Sequence, residues 1–87
     1  MFNTVHISEV KLRVGALVKL LRKREGITQE QLAEKLAMSR LTVQNLESGK
    51  NATMDTLLIV LQHFDLLNDF YAFIDNEADN NNQPSLY

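Results

Sequence analysis

Val10, Val14, Leu17, Val18 and Leu21 fall at i, i+4, i+7, i+8 and i+11, the spacing of one face of an amphipathic helix. Ser8 stands where an N-cap is needed. Arg22, Lys23 and Arg24 suit the negative end of a helix dipole, and Gly26 suits the position just past the last turn. The pattern predicts a first helix from about Glu9 to Glu25. Gly15 inside it costs roughly 1 kcal/mol relative to alanine, which either a close approach of another helix or a neutral accident would explain. Thr28 and Gln31 make a capping box that opens a short second helix, about Gln29 to Leu36, burying Leu32, Ala33 and Leu36. Ser39 caps a third, Arg40 to about Glu47, with Val43 and Leu46 inward and Ser48-Gly49 as its stop. Thr53 caps a fourth with apolar positions Met54, Leu57, Leu58, Leu61 and Phe64. A fifth starts near Asn68 and carries Phe70, Phe73 and Ile74. Phe2 to Ile7 has some β-compatible character and admits a short strand or arm.

The expected fold class is therefore all-α, with five helices and one domain. Its parts are an N-terminal arm (1–8), a helical domain (9–74) and an acidic, disordered tail (75–87), whose asparagine run buries too little apolar surface to offset its ordering entropy. At 87 residues the core is small, and with no cysteine neither disulfides nor thiolate metal sites can reinforce it. No apolar run approaches the ~20 residues of a membrane span, and the N-terminus lacks a signal peptide's apolar stretch, so the sequence reads as cytoplasmic. The net charge of −2 hides a division: all nine basic residues lie in 1–50, which carries +4, whereas 51–87 has six acids and no base. That distribution suits a polyanion partner at the N-terminal half, although long solvated helices also carry such charges.

The two short helices, separated by Ala37-Met38-Ser39, have the spacing of a helix-turn-helix, whose second helix lies in the DNA major groove. Ala33 is the small residue required where they approach most closely. The stretch ITQEQLAEKLAMSRLTVQNLESGKNATMDTLLIVLQ resembles the XRE family, the lambda-repressor-like helix-turn-helix DNA-binding proteins. Thr28-Gln29, Leu32-Ala33, Ser39, Val43, Leu46-Glu47 and Gly49-Lys50 stand where that family has them, and the resemblance covers about residues 10–66. Ala37 departs from it, because many members have glycine there. The turn must then form without positive φ or with modest strain.

The resemblance implies a helix-turn-helix at helices 2 and 3 and a sequence-specific DNA-binding transcriptional regulator. Ser39, Arg40, Leu41, Thr42 and Gln44 would face bases, with Arg40 suited to a guanine edge, Gln44 to an adenine, and Leu41 or the Thr42 methyl to a thymine methyl. Gln29, Asn45, Ser48, Lys50 and Asn51 would contact the backbone, Gln29 also bracing the first recognition-helix residue. Lys23, Arg24 and Lys35 read as solvated charges. Glu47 is expected to form a salt bridge to a basic residue of helix one. Because one recognition helix reads too few base pairs, a dimeric repressor on a palindromic operator is expected, with Leu66, Leu67, Phe70, Tyr71, Phe73 and Ile74 as an isologous homodimer interface.

Two other classes compete with this reading. GKNATMDTLLIVLQHFDLL resembles the HipB-like branch of the family, which implies an antitoxin that binds a toxin kinase while repressing its own operon. An enzyme is disfavoured: His6 and His63 lack convincing partners, no metal-ligand spacing or phosphate loop is present, and no cofactor or metal is expected. His63 reads as a surface or interface residue.

Overall fold

The computed structural model describes residues 4–82, which form α1 (Ile7–Arg24), α2 (Gln29–Lys35), α3 (Arg40–Glu47), α4 (Met54–His63) and α5 (Leu67–Asn81), with no strand among them. The fold is all-α. Three helix starts are closed by the expected side chains: Thr28 accepts from the Gln31 N–H at 3.0 Å, Ser39 from Thr42 at 3.1 Å and Thr53 from Thr56 at 3.1 Å. The Thr28 box is completed by the Gln31 carboxamide, which accepts from the Thr28 N–H at 2.8 Å. Each such cap contributes about 1 kcal/mol, which matters for α2 and α3, both too short to persist alone. The first helix departs from expectation. It opens two residues early, with His6 as N-cap donating its N–H to Glu9 at 2.8 Å, and Ser8 lies inside the first turn. Thr4 to His6 form no strand. Phe2 and Asn3, which complete the anticipated strand, lie outside the described residues, as do 83–87 of the anticipated tail.

The first four helices end in one and the same way. Beyond each C-cap, one residue adopts positive φ (Gly26 +73°, Ala37 +56°, Gly49 +78°, Asp65 +61°). The amide after it reaches back five residues: Ile27 to Arg22 C=O, Met38 to Ala33, Lys50 to Asn45 and Leu66 to Leu61. The amide of the left-handed residue itself bonds three back, completing a Schellman motif that satisfies otherwise orphaned carbonyls. Gly26 and Gly49 take this geometry freely. Ala37 takes it at a cost of about 1–2 kcal/mol, so the turn between α2 and α3 forms with strain rather than by avoiding positive φ.

The core consists of Val18, Leu32, Ala33, Val43, Leu46 and Val60, all buried, with Val14, Ile27, Leu36, Met38 and Phe64 packed around them. α3 packs on both α1 and α2, and α4 on α5. The first-helix stripe is only partly covered, since Val10 and Leu17 remain largely exposed. In α4 the buried position is Val60, whereas Met54, expected inward, is 73% exposed. Leu57 to Leu61 are apolar all round the helix, so periodicity cannot select the inward face. Gly15 lies against the end of α3: a Cβ there would sit 2.6 Å from the Leu46 carbonyl oxygen and closer still to that of Glu47. His63 Nε2 lies 3.0 Å from Glu25 Oε1, tying the end of α4 to the end of α1.

The fifth helix runs past the point where the tail is expected to begin. It starts at Leu67 and continues through Asp75 to Asn81, where the sequence reads as tail, with none of its side chains buried. Once the apolar face of Leu67 to Ile74 has formed a helix, Glu77 and Ala78 extend it at no nucleation cost.

Two backbone positions give opposite expectations. Ala37→Gly relieves the left-handed strain and should raise stability by about 0.5–1 kcal/mol after the added unfolded-state entropy. Gly15→Ala should lower it by about 2 kcal/mol despite alanine's better helix propensity, because the contact is with backbone. Thermal melts followed by circular dichroism decide both; about 4–8 °C accompanies each kcal/mol in a domain of this size.

Candidate nucleic-acid interface

Three elements meet at a buried polar seam. Arg22, near the end of α1, donates from Nε to Glu47 Oε2 at 2.6 Å and from Nη2 to Glu47 Oε1 at 3.0 Å. Its Nη1 donates to the Ile27 carbonyl at 2.8 Å, and Gln29 Nε2 donates to Glu47 Oε1 at 2.9 Å. The Arg22 and Glu47 side chains are 9% and 3% exposed. The hydrogen bond to Glu47 holds the guanidinium pKa above its ordinary value, outweighing the opposing effect of burial. Glu47 thus has the structural partner expected for it on helix one. The seam joins the end of α1, the start of α2 and the end of α3, and so sets how α3 is rotated.

With Val43 and Leu46 buried beneath, the opposite side of α3 faces out. Arg40, Gln44 and Ser48 recur every fourth residue along it, with Leu41 and Asn45 beside them. Arg40 and Gln44 are exposed, and Leu41 is 61% exposed. Ser39 and Thr42 are placed differently: their hydroxyls lie 2.8 Å apart, Ser39 also caps the helix, and Thr42 is half-buried off the outward strip. An open depression of about 600 Å³ separates the start of α3 from the α1–α2 junction, with Arg40 on one side and Lys23, Thr28 and Gln29 on the other.

The turn after α3 holds the remaining candidates. Lys50 and Asn51 are exposed and Asn45 is half-buried. Ser48 donates its hydroxyl proton to the Gln44 carbonyl at 2.9 Å, and Gln29 is engaged with Glu47, so each would reach a phosphate with only part of its capacity free. One further residue belongs here. Lys11 Nζ donates to Asn51 Oδ1 at 2.6 Å, placing a cation on the turn that carries Lys50. Nothing in the sequence marks Lys11, because the contact spans forty residues and exists only once α1 packs on α3. Of the expected interface residues, Leu66 and Leu67 are half-buried at the start of α5, Phe70 is half-buried, and Tyr71, Phe73 and Ile74 are exposed.

Two short capped helices joined by a tight turn, the second presenting a polar outward strip and anchored from behind, define a helix-turn-helix DNA-binding domain. The family model described as Helix-turn-helix matches residues 18–67. The chain belongs to that family, the XRE type of helix-turn-helix transcription regulators. No curated protein and no solved structure matches it. No helix among the described residues is long and apolar enough to cross a membrane.

Removing one partner of the seam strands the other charge. Glu47→Ala should cost about 3–5 kcal/mol, whereas the paired replacement of Arg22 and Glu47 by methionine should cost far less. Urea titrations of the two variants distinguish a buried-charge penalty from simple loss of packing.

Proposed function

We propose that the protein is a dimeric repressor that reads a palindromic operator through α3. The observation that carries this reading is the outward strip of Arg40, Leu41 and Gln44 on a helix fixed by Val43, Leu46 and the Arg22–Glu47 pair. In this arrangement Arg40 pairs with a guanine edge, Gln44 with an adenine, and Leu41 contacts a thymine methyl. Ser39 and Thr42 hold the first turn and present their remaining polar capacity and methyl group there. Gln29, Asn45, Ser48, Lys50 and Asn51, joined by Lys11, hold the phosphates on either side. A binding selection on random duplexes at fixed salt identifies the operator. Arg40→Ala should then weaken cognate binding about 10- to 100-fold with little effect on non-specific DNA. Lys50→Ala should weaken all sequences alike and reduce the salt slope by about one. Equal losses on both kinds of DNA for both variants would overturn the assigned roles.

Dimerisation is supported by surface that a monomer leaves open. A groove of about 480 Å³ between α4 and α5 is lined by Met54, Leu57, Leu58, Leu67, Phe70, Tyr71 and Ile74. Met54, Tyr71 and Ile74 on it are 73%, 67% and 48% exposed. Its Met54–Leu57 wall is shared with a second apolar groove containing Val10 and Val14. A two-fold pair suits a palindromic operator, whose half-sites lie about 34–36 Å apart. The wholly exposed acidic end of α5, Asp75 to Asn81, favours one second reading, an antitoxin of the HipB-like branch that also holds a toxin kinase. A kinase gene adjoining this one would support it. Ile74→Asp should convert the dimer to monomer at tens of micromolar in sedimentation and weaken operator binding at least tenfold.

A further inference from the structure

A third apolar site lies on the outer side of α1, apart from the DNA-facing strip and from both grooves beside α4. Leu20 is 54% exposed and Leu17 41%, and with Ala16 and Arg13 they form a shallow hollow of about 190 Å³. Both ends of the hollow are basic. Arg13 stands at one, about 7 Å along the helix from the midpoint of Ala16, Leu17 and Leu20, and Arg24 at the other, about 9.5 Å from it. A second copy of the same face is a poor occupant, because it would set arginine against arginine. The complementary surface is an exposed aromatic flanked by acids, and this chain carries one. Phe73 on α5 is 60% exposed and does not line the α4–α5 groove. Asp69 and Glu77, both exposed, precede and follow it by one turn, about 6 Å on either side.

We propose that α5 of one copy docks on α1 of another, Phe73 entering the Ala16–Leu17–Leu20 hollow while Asp69 and Glu77 pair with Arg13 and Arg24. The surfaces joined are different, so the contact is heterologous. Unless it closes into a ring it links one dimer to the next, the arrangement that lets copies on neighbouring operators bind cooperatively. Half of the complementarity is ionic and exposed, so the contact is weak at high salt and strengthens when DNA raises the local concentration.

Sedimentation of the full chain from 10 µM to 1 mM at low salt tests this. Species larger than the dimer are expected, lost in Leu20→Glu and at least tenfold weakened in the pair Arg13→Glu, Arg24→Glu and in the pair Asp69→Lys, Glu77→Lys. Mixing the two charge-reversed proteins should restore association, since one then supplies an acidic α1 and the other a basic α5; restoration also shows that both are folded. Ile74→Asp, which opens the groove dimer, should leave this restoration intact, so failure of either contact is read separately. Unchanged association in Leu20→Glu, or no restoration on mixing, overturns the proposal. So does binding of the chain to phosphatidylglycerol vesicles that Leu20→Glu abolishes while self-association is unaltered, which would make the hollow a lipid contact.

Discussion

The approach of α1 to α3 is the constraint on which the rest of the molecule depends. Gly15 lets the two backbones close to a separation that any Cβ would block, and Arg22 then reaches both carboxylate oxygens of Glu47 with the Nε–Nη2 edge of its guanidinium. An ion pair so buried adds little stability over a well-packed apolar pair. Its value is directional. Val43 and Leu46 alone would let α3 slide or roll on a smooth apolar bed, whereas a two-point fork locked also by Gln29 and the Ile27 carbonyl permits one rotation only. Reading bases by hydrogen bonds demands that kind of fixed orientation more than it demands extra stability.

The turn between α2 and α3 follows the same logic. Four successive helices close with one backbone motif, and only at Ala37 is the left-handed position held by an ordinary L-residue without a local polar side chain. The strain persists because Met38, bonded back to the Ala33 carbonyl and packed against the core, determines the path on the far side of the turn. A small domain thus spends stability at the junction that sets the angle between its two DNA-facing helices.

How much of this the sequence discloses depends on whether a feature is local. Thr28, Ser39 and Thr53 announce their helices because a capping hydroxyl acts on an amide two or three residues away. Gly15 announces a close approach because nothing local rewards a glycine in mid-helix. The inward face of α4 was hidden, since a run apolar on every side has no period to read. The continuation of α5 past Asp75 was hidden for another reason: composition reports whether a segment can nucleate structure, not whether a helix already formed upstream will carry through it. Arg40, Leu41 and Gln44 were legible as an outward strip once Val43 and Leu46 were assigned inward. Lys11 beside Asn51, and the engagement of the Gln29 side chain with Glu47, depend on tertiary contacts that no spacing encodes.

The division of charge gives these surfaces separate duties. Basic residues are confined to 1–50 and the six acids of the remainder fall from Asp55 onward, so a polyanion is attracted to the first half of the chain and repelled by α5. Repulsion keeps the exposed aromatics of α5 from being spent on DNA and leaves them free for protein. A six-residue buried core cannot absorb Tyr71, Phe73 and Ile74 as well as the outer leucines of α1, and a lone copy would carry apolar surface on two sides at once. The proposed assembly would follow from how little interior so short a chain can enclose. In the proposed assembly the groove between α4 and α5 would take one share of that surface, and the charged flanks of the other share would restrict which partner can cover it.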